Sequence, residues 1–128
     1  RLGLEKQITG YFSTEEMIPA CAQGALAIQV RQDREELFAL FASLHDPKAA
    51  RQVAAERAYL TAVGGGCHLP VGAASQIEGE QMTLTALLGT EDGRVAVRHS
   101  ITGPADRGEV LGRELACQIK EKLEEACR

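Results

Sequence analysis

Apolar residues in this chain change their period twice, and the central block of alternation constrains the fold more than any other feature. Met82, Leu84, Ala86 and Leu88 are separated by Thr83, Thr85 and Leu87, and Val95, Val97 and Ile101 run through Arg98 and Ser100. A period of two belongs to strands with one covered face. The pattern predicts strands at about 71–78, 81–90 and 94–103, joined by the turn-rich stretches "IEGEQ" and "TEDGR". Asp92-Gly93 in the second stretch is a hairpin signal, so the three strands form an antiparallel meander.

Helical spacing stands on both sides of this block. Asp33 with Glu36 resembles a capping box, and Leu37, Phe41 and Leu44 follow at helical intervals, giving a helix to about His45. Asp46-Pro47 then restarts the chain as N-cap and first helical residue, and the next helix runs to Val63, where Gly64 supplies a left-handed cap. After the strands, Asp106 and Glu109 open a last helix with Leu111, Leu115, Ile119 and Leu123 as its apolar stripe. The order ααβββα describes an α+β fold, with about three helices on one face of a three-stranded antiparallel sheet. Residues 1–18 read as a short helical or irregular segment, broken at Gly10, with "STEE" as a polar helix start. The apolar run "GALAIQV" at 24–30 reads as a strand covered on both faces, in a sheet built mostly elsewhere.

With 128 residues, 45% of them hydrophobic, the chain is of single-domain size and can bury a core without staples. Cys21, Cys67, Cys117 and Cys127 form no C-x-x-C pair and read as separate thiols, which fits a reducing, cytoplasmic setting. A net charge of -4, with no basic stripe and no Trp, leaves no nucleic-acid footprint. No apolar run reaches the roughly 18 residues needed to span a bilayer. The start at Arg1, with no opening element, reads as a piece of a longer protein or a processed end.

One stretch stands out chemically. In "VGGGCHLPVG", Cys67 follows Gly64, Gly65 and Gly66 and precedes Pro70. The glycines remove side chains and permit positive φ beside the thiol, which suits a bulky attachment. They also suit a small buried thiol beside a helix end, and the local pattern leaves both readings open. A Cys67-His68 dyad is disfavoured because adjacent residues in an extended loop point apart, and Cys67, His68 and His99 lack metal-site spacing. His99, in phase with Val97 and Ile101, reads as a core-facing ring with one hydrogen-bond partner. Arg57 shares a helical stripe with Val53 and Leu60, which calls for an anionic ligand or a structural ion pair nearby.

Three blocks in order, "IPACAQGALAIQVR" at 18–31, "AERAYL" at 55–60 and "GGGCHLPVG" at 64–72, resemble the porphobilinogen deaminase (hydroxymethylbilane synthase) family. The likeness runs from about Arg1 to Glu124. It implies that residues 1–32 are the end of domain 2 and a strand returning to domain 1, and that 33–128 are the C-terminal cofactor-attachment domain. Domains 1 and 2 would then lie largely outside this chain. By the resemblance, Cys67 carries a dipyrromethane cofactor as a thioether, and four porphobilinogen units are added to it in tetrapyrrole biosynthesis. Gly65 and Gly66 give the rings clearance, Gln23 and Gly24 match the family's Gln-Gly and face its cleft, and Arg57 is a further candidate for cofactor binding.

The family's catalytic aspartate and arginine-lined cleft belong to the other domains, so no catalytic residue is assigned here and the chain alone is expected to be inactive. No metal is implied, and the parent enzyme is expected to be monomeric. Two departures bear on local geometry. Cys21-Ala22 stands where the family commonly has an apolar residue and Gly, and Gln29 where Glu is usual. From the residues without the resemblance, the alternative is a self-standing α+β ligand-binding or thiol-sensing module.

Overall fold

A computed structural model describes residues 2–64 and 69–128. The α+β order read from the sequence is present, with helices α1 (Glu35–Phe41), α2 (Pro47–Val63) and α3 (Gly108–Ala126) and strands β1 (Val71–Glu78), β2 (Gln81–Gly89) and β3 (Ala96–Pro104). The strands form one antiparallel sheet in the order β1-β2-β3, with Ser75 opposite Leu84 and Leu84 opposite Ile101.

α2 has the bounds its capping residues dictate. Asp46 Oδ1 accepts the N–H groups of Lys48 and Ala49 at 2.9 and 3.1 Å, and Pro47 supplies a first residue that has no N–H to satisfy. At the other end Gly64 turns left-handed, φ 75°, and its N–H reaches the Thr61 carbonyl at 3.1 Å.

The other two helix starts differ from expectation, each for a local reason. Arg31 Nε holds Asp33 Oδ1 at 2.9 Å and Arg34 holds Glu36, so α1 begins after Arg34 without a side-chain cap and gives way to a 3-10 turn at Ala42. A 3-10 turn at Ala105–Arg107, anchored by the Ala105 N–H on the Glu80 carbonyl at 2.8 Å, likewise displaces Asp106 from the cap of α3. β3 starts two residues late because Val95 is used by the turn. Its carbonyl accepts the Thr90 N–H at 2.8 Å, and its own N–H donates to Thr90 Oγ1 at 3.2 Å.

α2 and α3 cover one face of the sheet, and Tyr59, Met82, Leu84, Leu115 and Ile119 are fully buried between the layers. Leu111, Leu115 and Ile119 are buried with Leu123 packed beside them, as the stripe predicts. His99 is half-buried on the same face, its Nε2 3.0 Å from Gln118 Oε1, in agreement with a single partner. The opposite face is polar and carries the hydroxyl pairs Thr83–Thr102 at 3.0 Å and Thr85–Ser100 at 2.8 Å. The two helices meet at Gly112, where an added Cβ would stand 2.4 Å from the Ala55 carbonyl oxygen and 2.9 Å from the Tyr59 nitrogen.

The chain before α2 is built differently. Among the described residues, the exposed large apolar side chains all lie between Leu2 and Leu44, whereas the buried apolar core begins at Ala55. Residues 1–18 contain a 3-10 turn at Glu5–Gln7 and a turn closed reciprocally by Ser13 and Glu16. Glu16 Oε2 accepts the Ser13 N–H and hydroxyl, each at 2.9 Å, and these bonds hold its carboxyl below the usual range.

The strand expected at 24–30 does not form. No fourth strand lies beside this segment among the described residues, so it has no ladder to join, and Leu26 is 98% exposed. Just before it, the Pro19 carbonyl accepts the Ala73 N–H at 3.0 Å, across an approach so close that a Cβ on Gly72 would lie 2.7 Å from that same oxygen.

Candidate functional site

The site is framed by the C-terminal half of α2 and the turn at 21–24. Gly64 fixes one flank of the "GGGCH" stretch as the cap of α2. Pro70 fixes the other, its carbonyl accepting the Gly89 N–H at 2.8 Å. Gly65, Gly66 and Cys67 lie outside the described residues, as does His68. Of the thiols that are described, Cys21, Cys117 and Cys127 are free.

Arg57 is exposed and does not sit on the helix face that packs on the sheet. That face carries Ala55, Tyr59 and Val63, with Glu56 as its buried charge. The stripe of Val53, Arg57 and Leu60 is real but adjacent, and it forms one wall of a groove of about 600 Å³. Gly24, Leu26 and Leu44 line the facing side. Gln23 lines an adjoining groove of about 340 Å³ with Gly24, Glu56 and Ser75. Gly24 and Arg57 therefore share a groove, and Gln23 stands next to it. Among the described residues Arg57 forms no ion pair, and the Asp46 carboxylate in the same groove is engaged in capping α2.

Glu56, rather than Arg57, is the side chain that ties the parts together. Only 8% exposed, it accepts the Ala22 N–H at Oε2 (2.7 Å), and the Ser75 N–H (2.9 Å) and hydroxyl (2.6 Å) at Oε1. One carboxylate thus joins α2, β1 and the 21–24 turn. The sequence did carry a signal for this. At about 100° per residue, Glu56 falls roughly 20° from Val63 around the helix and Arg57 roughly 120°.

Beside Glu56, burial and then the Glu56 charge push the Cys21 thiol up to about 11, so it stays protonated near neutrality. Burial raises the Tyr59 hydroxyl as well, and that hydroxyl donates to the Leu87 carbonyl at 2.9 Å. Apolar walls with a guanidinium that has no ion-pair partner among the described residues suit a flat, weakly polar group that bears a carboxylate.

Residues 50–121, more than half of the chain, match the family model described as "Porphobilinogen deaminase, C-terminal domain". The chain belongs to the porphobilinogen deaminase family. Residues 1–39 match a second model of this family, described as "Porphobilinogen deaminase, dipyromethane cofactor binding domain". Proteins named porphobilinogen deaminase align at 43% identity over 83% of this chain in Clostridium novyi and at 40% over 93% in Geotalea uraniireducens. The one from Chromobacterium violaceum aligns at 42% over 93%. This chain covers 35%, 37% and 38% of the lengths of these three relatives, little more than a third.

Among the described residues Ala22, in the turn beside this groove, has a positive φ of 60° although it is not glycine. An alanine here adopts a backbone conformation that glycine takes up more freely.

Proposed function

We propose that this chain is the cofactor-carrying C-terminal part of a porphobilinogen deaminase, with Cys67 as the point of attachment and a division into 1–32 and 33–128. The support is the match of nearly the whole chain to two models of that family, one of them described for dipyromethane cofactor binding. The dipyrromethane, held as a thioether, would supply the primer to which four porphobilinogen units are joined with loss of one ammonia each, and hydrolysis by water would free the product as hydroxymethylbilane.

The residues at hand fit such a group. Carboxylated pyrroles need apolar walls and cationic partners, and the groove offers Val53, Leu60 and an Arg57 without an ion-pair partner among the described residues. Gly64 and Pro70 are anchored on either side of the attachment stretch. In this reading Cys67 is a tether rather than a nucleophile that turns over. Arg57 pairs with a cofactor carboxylate, and Gln23 and Gly24 line the approach to it. The acid that protonates the leaving amine and the remaining arginines come from the rest of the enzyme, and the 128-residue chain alone is inactive.

Intact-mass measurement on the full-length enzyme tests this reading. A two-pyrrole adduct is expected and is lost on Cys67→Ser together with turnover. An active enzyme without the adduct overturns the assignment.

A further inference from the structure

The geometry points to Glu56 as a positioning residue: its carboxylate holds Ala22 left-handed and so sets where Gln23 and Gly24 stand relative to α2. The observations come from both ends of one hydrogen bond. At one end, an alanine at φ 60° brings its Cβ close to the following carbonyl oxygen, and such a residue persists only where its surroundings over-determine it. Two bonds within the turn, Gln23 N–H to the Ala20 carbonyl at 3.0 Å and Ala25 N–H to the Ala22 carbonyl at 3.2 Å, close it locally. Neither attaches it to the rest of the fold. The Ala22 N–H does so, meeting Glu56 Oε2 at 2.7 Å.

At the other end, Glu56 is fixed. Its second oxygen is engaged by the Ser75 N–H and hydroxyl, and the side chain is buried, so Oε2 presents a stationary acceptor to the turn. A charged acceptor makes this a stronger bond than one between neutral groups. Glutamine cannot replace it, because its single amide oxygen serves the two Ser75 donors and its NH2 then faces the Ala22 N–H, donor against donor. Arg57, the next residue along α2, lines the groove together with Ala22 and Gly24. The same helical turn thus fixes one wall of the groove and carries the cation on the other.

The consequence for turnover rests on the proposed function, whereas the consequence for the turn does not, and the test separates them. In the 128-residue chain, Glu56→Gln is expected to speed amide hydrogen exchange at Gln23 and Ala25 by about tenfold, the scale of one lost charge-assisted bond. Adding Ala22→Gly, which adopts positive φ freely, is expected to return exchange to within about threefold of the parent. No change with Glu56→Gln overturns the proposal. So does a failure of Ala22→Gly to rescue, since a residue serving only the packing of α2 on β1 would be indifferent to position 22.

If Glu56→Gln does not fold, Ala22→Gly alone decides. Exchange at Gln23 and Ala25 slows by about threefold if Ala22 is strained, and unchanged or faster exchange overturns the proposal. In the full-length enzyme the same pair is read as kcat for porphobilinogen, expected to fall roughly fivefold with Glu56→Gln and to recover with Ala22→Gly. An enzyme without porphobilinogen turnover removes the proposed function and leaves Glu56 to be judged by exchange.

Discussion

Gly112→Ala sets two physical effects against each other and predicts the sign of the result. Alanine is the better helix former by about 1 kcal/mol, so helix propensity alone would stabilise α3. The new Cβ would stand 2.4 Å from the Ala55 carbonyl oxygen, where ordinary contact begins at 3.4 Å, and relief therefore needs α2 and α3 to separate by 1.0 Å (3.4 minus 2.4). The obstacle is the backbone of α2, flanked by the Tyr59 nitrogen at 2.9 Å and the Ala58 Cβ at 3.1 Å, so no side chain can swing aside. Overpacking of this kind costs about 3 kcal/mol at the upper end of its usual range. The net loss is then about 2 kcal/mol, or roughly 6–10 °C in Tm for a domain of this size. Thermal and urea unfolding followed by circular dichroism measures it. An unchanged or raised Tm would refute the reasoning, because it would mean that the helices are not in contact at Gly112.

Asp46→Ala removes the acceptor of two N–H groups at the start of α2 and should lower stability by about 1 kcal/mol in urea unfolding; no change would mean the cap is replaced by water at no cost. Cys21 gives a pH dependence of known sign. Its folded pKa is raised from 9.0 to about 11, first by burial and then by Glu56, so the folded chain holds the thiol proton more tightly than the unfolded one. The associated stability is complete below about pH 9 and is lost as pH rises toward 11. Cys21→Ala should flatten the decline in that window, and identical slopes for variant and parent would refute the assignment.

Local signals were legible in the sequence where nothing competed with them. Asp46, Pro47 and Gly64 gave α2 its bounds, and the alternation from Met82 to Leu88 gave the sheet face that is buried. Where a second partner was available, the reading failed. Arg31 and Arg34 drew Asp33 and Glu36 away from the cap of α1, and Thr90 took Val95 into the turn. The run at 24–30 shows a different limit, because an apolar stretch states what it needs for cover and not whether that cover lies in the same chain. At the site, the stripe through Arg57 was legible, but not that it lines a groove rather than the sheet, since two adjacent stripes on α2 are apolar and only one meets the sheet. The proposal for Cys67 rests on its glycines and on the resemblance to a family, both of which are properties of sequence.

The bonds that Pro19 and Glu56 make to β1 have a consequence for association. An outermost strand normally offers unpaired N–H and C=O groups to any passing extended chain, which is how sheets recruit copies of themselves. On β1 the outward groups of Ala73 and Ser75 are already engaged by the Pro19 carbonyl, the Glu56 carboxylate and the Gln52 amide. The segment around Pro19 adds almost nothing to the core, yet together with Glu56 and Gln52 of α2 it occupies part of the rim of the sheet that strand addition would use. Residues that look dispensable when only burial is counted thus leave fewer open groups on this edge for another strand to meet.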